Sequence, residues 1–299
     1  MMNKELIVIA GPTGVGKTDS AIAIAAKLNT EIISADSRQI YREMSIGTAV
    51  PERSQLDAVP HHFIQNKSIH QYYNASDYEF EVIELLDSLF THNDKVILTG
   101  GSGLYIDAVI KGIDDLPKSD PELRKQLQQR IDSEGLDSLR KELKVLDPVS
   151  YHSIDLKNPK RLQKAIEICL ITGKPYSDFL KRTPKKRNFS VKTLALNMDR
   201  KELYNRINHR VIQMIDKGLV KEAELLLEYK GLNPLNTVGY KEIFLFLEDE
   251  ISLERAIELI QNNSRKYARK QITWFRKDNQ YKWFHPTEIE NMLRYIEDE

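Results

Sequence analysis

The 299-residue sequence contains a single cysteine, Cys169. One thiol excludes an internal disulfide and a zinc site made of several cysteines. It is typical of a reducing compartment, so we expect the protein in the cytoplasm. Long apolar runs are also missing, and no stretch approaches the ~20 residues that a membrane helix needs. The short apolar run near the N-terminus leads into glycines and a lysine, which indicates a buried strand rather than a secretory signal. We therefore expect no contact with a membrane.

The sequence also lacks net charge, because 44 basic residues balance 44 acidic residues. The two signs are unevenly distributed. Residues 157–210 carry 15 basic and 4 acidic side chains, and residues 265–277 carry six basic and no acidic ones. A neutral chain with two basic stretches predicts a localised contact with a polyanion. The alternative is a solvated helix face, and the charge pattern alone leaves both interpretations open.

Apolar runs alternate with helical periodicity over most of the chain. The runs predict strands at residues 6–10, 31–35, 95–99, 193–197 and 281–284. The periodicity predicts helices at residues 19–28, 75–90, 200–217, 219–229 and 253–277. Continuous apolar strands that alternate with helices are typical of a parallel sheet with both faces covered. We therefore expect an α/β protein.

Between residues 117 and 189 the strands disappear and the pattern becomes entirely helical. Helices are expected at 121–134, 136–146, 159–172 and 175–181, and Asp120 and Asn158 are N-caps before prolines. This pattern indicates a helical insertion at 117–189 within an α/β core of residues 1–116 and 190–299. At about 150 residues per domain, the total length predicts roughly two domains, or one large domain with an insertion.

A phosphate-binding motif lies between the first predicted strand and the first predicted helix. The pattern G-x-x-x-x-G-K-[ST] is matched by Gly11, Pro12, Thr13, Gly14, Val15, Gly16, Lys17 and Thr18. Its glycines allow backbone N–H groups to close around phosphate oxygens, and the helix N-terminus adds partial positive charge. We expect Lys17 to reach the terminal phosphate and the Thr18 hydroxyl to hold Mg²⁺.

The motif predicts a bound phosphate chain but does not specify a reaction. Nucleoside triphosphatases with this motif usually place an acidic Mg²⁺ ligand at another strand end. Here the third predicted strand leads into Gly100 and Gly101, and Asp36 follows the second strand instead. From its position, Asp36 is a metal ligand, a general base in the crevice at the strand ends, or a turn residue.

Two further functions are open from these patterns. A small-molecule or nucleotide kinase would use the motif for ATP, with Lys181, Arg182 and residues 185–187 as a basic lid. A non-catalytic RNA-binding protein would use the two basic stretches. That function leaves the phosphate motif and Asp36 without a task.

Eight collinear segments resemble a single family closely. They are GPTGVGKT at 11–18, ISADSRQIYREMSIGTAVP at 33–51, PHHFI at 60–64, LTGGSGLYI at 98–106, NPKRLQKAIEI at 158–168, RINHRVIQMIDKGLVKEAELL at 206–226, VGYKEIFLFLE at 238–248 and RKYARKQITWFRK at 265–277. The phosphate motif alone is unspecific, whereas its combination with DSRQIY, GGSGLY and RKQITWFR is specific. Over nearly its whole length, the sequence resembles the bacterial tRNA dimethylallyltransferases, also called tRNA isopentenyltransferases.

The resemblance implies a P-loop NTPase-like core with an inserted all-helical domain that contacts tRNA. It implies transfer of the dimethylallyl group of dimethylallyl diphosphate to N6 of the adenosine 3′-adjacent to the anticodon, position 37, in tRNAs that read codons starting with U. Diphosphate is released, Mg²⁺ is the cofactor and the partner is the anticodon stem-loop. We expect a monomer. A free nucleotide such as AMP is the alternative acceptor, and the long basic insertion argues against it.

The family's functional residues are carried over at matching motif positions. Asp36 accepts the proton of the adenosine amine, and Thr13 and Arg210 contact the diphosphate that residues 11–18 hold. Without the resemblance, the spacing of Arg210 from Arg206 would assign it to an exposed helix face. Contacts with tRNA are implied for Asp36, Ser37, Arg38, Gln39, Ser102, Arg124, Lys160, Arg161, Leu162, Gln163 and Lys164.

Other positions have weaker assignments. Gln65 stands where the family commonly has aspartate, and Val50 where lysine is common, which leaves their roles open. His61 and His62 have no third ligand at metal spacing, so we expect a structural or substrate-loop role. The isolated aromatic residues that are candidates for a base or prenyl pocket, although such residues more often belong to a core, are Tyr41, Phe63 and Tyr105.

Overall fold

The computed structural model describes residues 4–181 and 183–298, and the chain divides into two compact units. Unit 1 combines Met1–Lys111 with Lys186–Glu299, and unit 2 is Gly112–Lys185. The sequence places the insertion at 117–189, a few residues later at each end. Arg182, a member of the lid expected for a kinase, lies outside the described residues. Within those residues no helix is long and apolar enough to cross a membrane.

Unit 1 holds the sheet, and unit 2 is helical. The strands are β1 Glu5–Ala10, β2 Ile32–Ser34, β3 His61–His62, β4 Lys95–Gly100, β5 Ser190–Leu196 and β6 Lys282–Phe284. The helices are α1 Lys17–Leu28, α2 Arg53–Ala58, α3 Ala75–Leu89, α4 Gly103–Lys111, α5 Pro121–Glu134, α6 Leu136–Leu146, α7 Pro148–Ser153, α8 Pro159–Thr172, α9 Arg200–Asp216, α10 Leu219–Glu224, α11 Tyr240–Leu247, α12 Leu253–Phe275 and α13 Ile289–Glu297. Short 3₁₀ segments lie at Tyr176–Phe179, Leu227–Tyr229 and Asn233–Leu235.

The sheet is parallel, with the strand order β3-β2-β4-β1-β5-β6. Its centre is β1, whose residues 6–10 are fully buried because β4 and β5 flank it and helices pack on the sheet. The predicted α/β fold and its five strands are confirmed. The edge strand β3 was not predicted, because it consists of two histidines and no apolar run marks it.

The sheet topology brings three chain segments together at one edge. In the strand register, Ala10 of β1 lies opposite Gly100 of β4, and Ser34 of β2 lies opposite Thr99. The chain continues from β1 towards the β3 edge of the sheet and from β4 towards the β6 edge. This divergence between two neighbouring strands creates a crevice beyond their carboxyl ends. The phosphate loop follows β1, Asp36 follows β2, and the glycine pair Gly100-Gly101 lies at the end of β4. These three segments therefore meet in the crevice.

Several helices agree with the sequence prediction, and others correct it. Helices α5, α6 and α8 have the predicted bounds, and Asp120 and Asn158 accept the expected N-cap hydrogen bonds. The helix predicted at 175–181 is wrong, since only the 3₁₀ segment Tyr176–Phe179 forms there. So short a segment gains too few hydrogen bonds to offset helix nucleation. The helix predicted at 219–229 ends as α10 at Glu224, and α2, α4, α7, α11 and α13 were not predicted.

Unit 2 has its own apolar core and a buried carboxylate beside it. The core residues are Leu127, Leu139, Leu143, Leu162, Ala165 and Ile166. Asp147 is fully buried and accepts hydrogen bonds from Ser150 N at 2.9 Å, Ser177 N at 2.7 Å and Ser177 Oγ at 2.9 Å. Burial acts to raise the pKa of Asp147, but these hydrogen bonds hold the pKa below its ordinary value. The carboxylate thus joins α7 to the 3₁₀ segment.

We expect Asp147→Asn to loosen this junction. The amide is a weaker acceptor than a carboxylate and brings its own N–H₂ group towards backbone donors, so the local opening free energy falls by about 2 kcal/mol. Hydrogen exchange with mass spectrometry at neutral pH should show about thirtyfold faster exchange in peptides that cover Pro148–Ser153 and Tyr176–Phe179.

The matched control is Asp155→Asn, because Asp155 is an exposed carboxylate with a single turn hydrogen bond. Unchanged exchange in the Asp147 variant would contradict the assignment. Since the folded pKa of Asp147 is lowered, its contribution is present above the ordinary aspartate pKa of about 3.9. The contribution is lost as the pH falls through the lower folded pKa.

Candidate active site

A cavity of ≈ 1070 Å³ lies in unit 1 at the carboxyl ends of β1, β2 and β4. Its walls come from the phosphate loop, the segments that follow β2, and one face each of α9 and α12. The volume is at the upper end of small-molecule sites. The lining side chains that can bind a ligand or transfer a proton include Thr13, Lys17, Thr18, Asp36, Gln39, Arg210, Tyr267 and Gln271.

The phosphate loop has the backbone conformation that its glycines predict. Gly14 and Gly16 have φ angles of 80° and 102°, in the left-handed region. A Cβ at Gly14 would also lie 2.9 Å from Ile207 Cγ1. Helix α1 begins at Lys17, directly after the loop. Its unpaired N-terminal N–H groups and partial positive charge therefore lie at the cavity, which makes the loop an anion site.

Lys17 adds a full positive charge to this anion site. Its Nζ donates a hydrogen bond to Pro12 O at 2.8 Å. Burial lowers the pKa of Lys17 to about 8, while nearby Asp36 opposes and nearby Arg210 reinforces the shift. Two cations therefore share one carboxylate. A phosphate chain would supply the missing negative charge and favour protonated Lys17.

Thr13 is held from two sides by long-range contacts. Its N–H donates to Gln271 Oε1 at 2.8 Å, and the same glutamine donates through Nε2 to Gly101 O at 2.9 Å. Its hydroxyl accepts a hydrogen bond from Arg210 Nη1 at 3.3 Å. Gln271 is buried on α12 and thus ties the phosphate loop to the glycine pair after β4. The sequence pattern marked the RKQITWFR segment but not this function of Gln271.

Arg210 belongs to the cavity rather than to an exposed helix face. It is half-buried on α9, lines the cavity, and contacts the Thr13 hydroxyl. Burial lowers its pKa, and the neighbouring Asp36 carboxylate opposes this effect. The structure therefore brings Thr13, Asp36 and Arg210 together, as the resemblance implies.

Asp36 forms a tight turn at the end of β2. Its Oδ1 accepts hydrogen bonds from Arg38 N at 2.9 Å and Gln39 N at 3.3 Å. The residue lines the cavity, and its Oδ2 accepts no hydrogen bond from the described part of the chain. The turn orients the carboxylate, and the second oxygen is open to a ligand.

The segment after Asp36 is joined to the segment after β4. Ser37 N donates to Ser102 Oγ at 3.0 Å, and the two hydroxyls lie 3.2 Å apart. Gln39 Nε2 donates to Thr48 O and Ala49 O. The five positions assigned to tRNA in unit 1, at 36–39 and 102, thus all take part in hydrogen bonds at one edge of the sheet.

The remaining residues that the resemblance assigns to tRNA lie in unit 2, where their side chains differ in accessibility. Lys160 and Arg161 are exposed. Arg124 Nε donates to both oxygens of the fully buried Glu167, and Lys164 lies 3.6 Å from the same carboxylate. Gln163 Nε2 donates to Gln128. Leu162 is fully buried in the unit 2 core, so its side chain packs against that core rather than against a ligand.

The aromatic residues singled out in the sequence do not line the cavity. Tyr41, Phe63 and Tyr105 are at most 8% exposed and belong to the core, where Tyr78 packs against two of them. Tyr267 on α12 lines the cavity instead and is 43% exposed. Burial raises the pKa of Tyr267 to about 12, with Asp36 adding to the shift. Its spacing of four residues from Gln271 was the signal for one shared helix face.

A metal ion in the cavity would depend on individual oxygen donors rather than on a cluster of metal-binding side chains. No group of three or more His, Cys, Asp or Glu side chains that could hold a metal occurs in the described residues. Among the side chains that line the cavity, the Thr18 hydroxyl in the phosphate loop and the Asp36 carboxylate after β2 are oxygen donors at the ends of β1 and β2. Magnesium commonly takes one or two protein oxygens together with substrate phosphates and water. This donor set therefore fits Mg²⁺ that binds with a phosphate chain.

The two adjacent histidines make structural contacts. His62 Nε2 pairs with Glu31 at 2.7 Å, and His61 Nδ1 lies 2.7 Å from Val59 O. Gln65 donates through Nε2 to Ser45 Oγ at 2.6 Å. The amide thus holds the loop that precedes α2.

Two residues of the basic segment that was expected as a kinase lid form ion pairs within the protein. Arg187 pairs with the buried Glu79 at 2.8 Å and donates to the carbonyl oxygens of Ala108 and Val109. Lys185 pairs with Asp115 at 3.0 Å. These contacts hold Arg187 in the packing between α3 and α4, which removes it as a lid arginine.

We expect Gln271→Ala to weaken diphosphate binding about 10- to 100-fold. The variant leaves Thr13 N and Gly101 O without partners, a loss of about 1.5–3 kcal/mol in loop organisation. Isothermal titration with inorganic diphosphate and Mg²⁺ measures the effect. The control is Gln261→Ala, because Gln261 lies on the same helix outside the cavity and donates to Asn208 O. Equal affinity of the two variants for diphosphate would contradict the proposed role of Gln271 in organising the phosphate loop.

Comparison with known sequences identifies the family. A model of the IPP transferase family matches residues 39–278 of this chain. The tRNA dimethylallyltransferase 1 of Bacteroides fragilis is 50% identical over 297 residues, which are 99% of each chain. The tRNA dimethylallyltransferase of Christiangramia forsetii is also 50% identical over 297 residues, which cover 99% of this chain and 98% of that protein.

Solved structures agree over the same length. The full-length tRNA isopentenylpyrophosphate transferase from Bacillus halodurans matches with a TM-score of 0.71 and 34% identity, over 99% of this chain and 96% of that chain. A eukaryotic dimethylallyltransferase acting on tRNA matches with a TM-score of 0.79 and 25% identity, over 96% of this chain and 75% of that chain. The expected P-loop NTPase-like core is confirmed, and the chain belongs to the IPP transferase family.

Proposed function

We propose that the protein transfers the dimethylallyl group of dimethylallyl diphosphate to N6 of adenosine 37 in tRNAs that read codons starting with U. The C1–O bond of the diphosphate ester breaks, a C1–N6 bond forms, and diphosphate leaves. The observation that carries this proposal is the position of Asp36 and the phosphate loop in one cavity. The phosphate-chain site and the open carboxylate can therefore take part in the same reaction.

Asp36 is the residue that accepts the proton from the adenosine amine. An exocyclic amine conjugated with the adenine ring is a weak nucleophile, so removal of its proton as the new bond forms favours the reaction. Oδ1 is occupied by two backbone N–H groups, which fixes the carboxylate, and Oδ2 is open. The proton therefore passes from N6 to Oδ2.

The opposite charge develops on the leaving diphosphate. Thr13 and Lys17 of the phosphate loop and Arg210 of α9 are donors at the cavity, and they stabilise the negative charge that grows as the C1–O bond breaks. Mg²⁺ would be held by the Thr18 hydroxyl and diphosphate oxygens, and when bound it supplies further charge neutralisation. The position of Thr13 depends on Gln271 and Arg210 together.

The adenosine must leave its base stack to enter the cavity. A single-stranded anticodon loop lowers the cost of this movement relative to a duplex. We assign the tRNA contacts in unit 1 to Ser37, Arg38, Gln39 and Ser102, which adjoin Asp36. In unit 2, the exposed Lys160 and Arg161 are suited to backbone phosphates. We expect a monomer to be sufficient, because one chain supplies every residue assigned to the cavity.

We expect Asp36→Asn to lower kcat about 10²- to 10⁴-fold, because the amide keeps the turn but cannot accept the proton. The KM for tRNA should change little. Mass analysis of nucleosides from timed reactions with tRNA, dimethylallyl diphosphate and Mg²⁺ gives both constants. Asp57→Asn is the control, since Asp57 pairs with Arg53 on the exposed face of α2. Full kcat in the Asp36 variant would rule out the general base.

Thr13 and Arg210 should act as one unit on the leaving group. We expect Thr13→Ala and Arg210→Gln each to lower kcat about 10- to 100-fold. The double variant should lose much less than the product of the two losses, because the residues share a hydrogen bond. Single-turnover rates with saturating tRNA measure the coupling. Strictly multiplicative losses would indicate that the two residues act independently.

A further inference from the structure

Glu222 on α10 accepts four hydrogen bonds, and three of them hold a turn at the cavity. Its Oε2 accepts from Ser45 N at 3.0 Å and Ile46 N at 2.8 Å. Its Oε1 accepts from Gly47 N at 2.9 Å and from Tyr240 Oη at 2.6 Å. Three successive backbone N–H groups form a concave anion site, and here the chain's own carboxylate fills it.

The same turn is fixed by packing as well as by charge. Gly47 lies against the Tyr240 ring so closely that a Cβ would be 2.5 Å from Tyr240 Cε2. Ala49 has a φ angle of 51°, which an alanine adopts only where its surroundings impose it. Gln39 Nε2 donates to Ala49 O at 2.9 Å. The conformation of the turn therefore depends on contacts from distant parts of unit 1.

The turn carries much of the apolar surface of the cavity. We call residues 45–50 the cavity wall. Most of the remaining lining is polar or charged, including the phosphate loop, Asp36 and the α9 side chains. The aliphatic lining residues are Ile46, Ala49, Val50, Pro51, Leu56, Ile64 and Met214, and three of these belong to the wall. Transfer of an allylic chain out of water is most favourable where the chain packs against aliphatic side chains.

We propose that Glu222 is a positioning residue that fixes the cavity wall, and that the fixed wall limits the length of the allylic chain that the site accepts. This inference rests on the proposed prenyl transfer. Glu222 does not touch the substrates, and it acts through the backbone of residues 45–47. Val50 adds aliphatic surface to this wall.

The physical argument concerns what the turn does without its carboxylate. The three backbone N–H groups of residues 45–47 would lose their shared charged acceptor. Unpaired backbone N–H groups take another acceptor, or water, where one is within reach. The turn would then move outward to reach water and enlarge the apolar end of the cavity. A longer chain would fit, whereas the dimethylallyl group would be held less tightly.

The experiment is a competition between two allylic diphosphates. Equal concentrations of dimethylallyl diphosphate and geranyl diphosphate are supplied with tRNA, and mass analysis of nucleosides gives the product ratio. This ratio reports relative kcat/KM and is independent of the fraction of folded enzyme. We expect Glu222→Ala to lower the dimethylallyl preference at least tenfold, with Glu222→Gln and Tyr240→Phe between Glu222→Ala and the wild type.

The matched control is Glu224→Ala, because Glu224 is exposed on the same helix and should keep the wild-type ratio. If Glu222→Ala does not fold, Glu222→Gln and Tyr240→Phe carry the test. A wild-type product ratio in every folded variant at Glu222 and Tyr240 would overturn the inference. A wild-type enzyme that prenylates tRNA with neither diphosphate would instead overturn the proposed function.

Discussion

Buried positive charge at the carboxyl end of β1 is the constraint on which the site depends. The phosphate loop, the start of α1, Lys17 and Arg210 concentrate cationic groups in one cavity, and Asp36 is the carboxylate that acts on both side chains. Burial lowers the pKa of Lys17 to about 8. This charge is stabilised when a diphosphate binds. The same field then stabilises the leaving group, so substrate binding and catalysis use one electrostatic arrangement.

A second constraint is mechanical, since distant segments hold the loops that carry the chemistry. Gln271 fixes Thr13 across 258 positions of the sequence, and Glu222 fixes the turn at Gly47 across 175. Arg210 reaches the Thr13 hydroxyl from α9. Thr13 and Asp36 lie on short loops, and side chains from α9, α10 and α12 hold these loops and the neighbouring turn in place. This division agrees with the general need for rigid support around reacting groups.

Local sequence patterns predicted the features that depend on neighbouring residues. The strand-loop-helix context located the phosphate loop, and prolines after N-caps located α5 and α8. Long-range features were inaccessible to such patterns. Helical spacing alone assigned Arg210 to an exposed face, and only the family resemblance placed it in the site. Gln271, Glu222 and Tyr267 were missed because their functions depend on partners remote in sequence.

The aromatic residues near the motifs illustrate the same limit. Tyr105 follows the GGSG segment, yet it packs in the core with Tyr78. Leu162 likewise lies within a segment assigned to tRNA, but its side chain packs in the core of unit 2. A motif therefore identifies a functional segment of the chain. The burial of each side chain in that segment decides whether the side chain can reach a ligand.

The central claim is the identity of the acceptor and of the transferred group. The most direct test is mass analysis of nucleosides from unmodified tRNA incubated with the wild-type protein, dimethylallyl diphosphate and Mg²⁺, with parallel reactions that contain AMP or ATP. The account predicts a prenylated adenosine located 3′ to the anticodon, with no prenylated AMP and no significant ATP hydrolysis. Prenylation of AMP alone, or phosphoryl transfer from ATP without any prenylated tRNA, would contradict it.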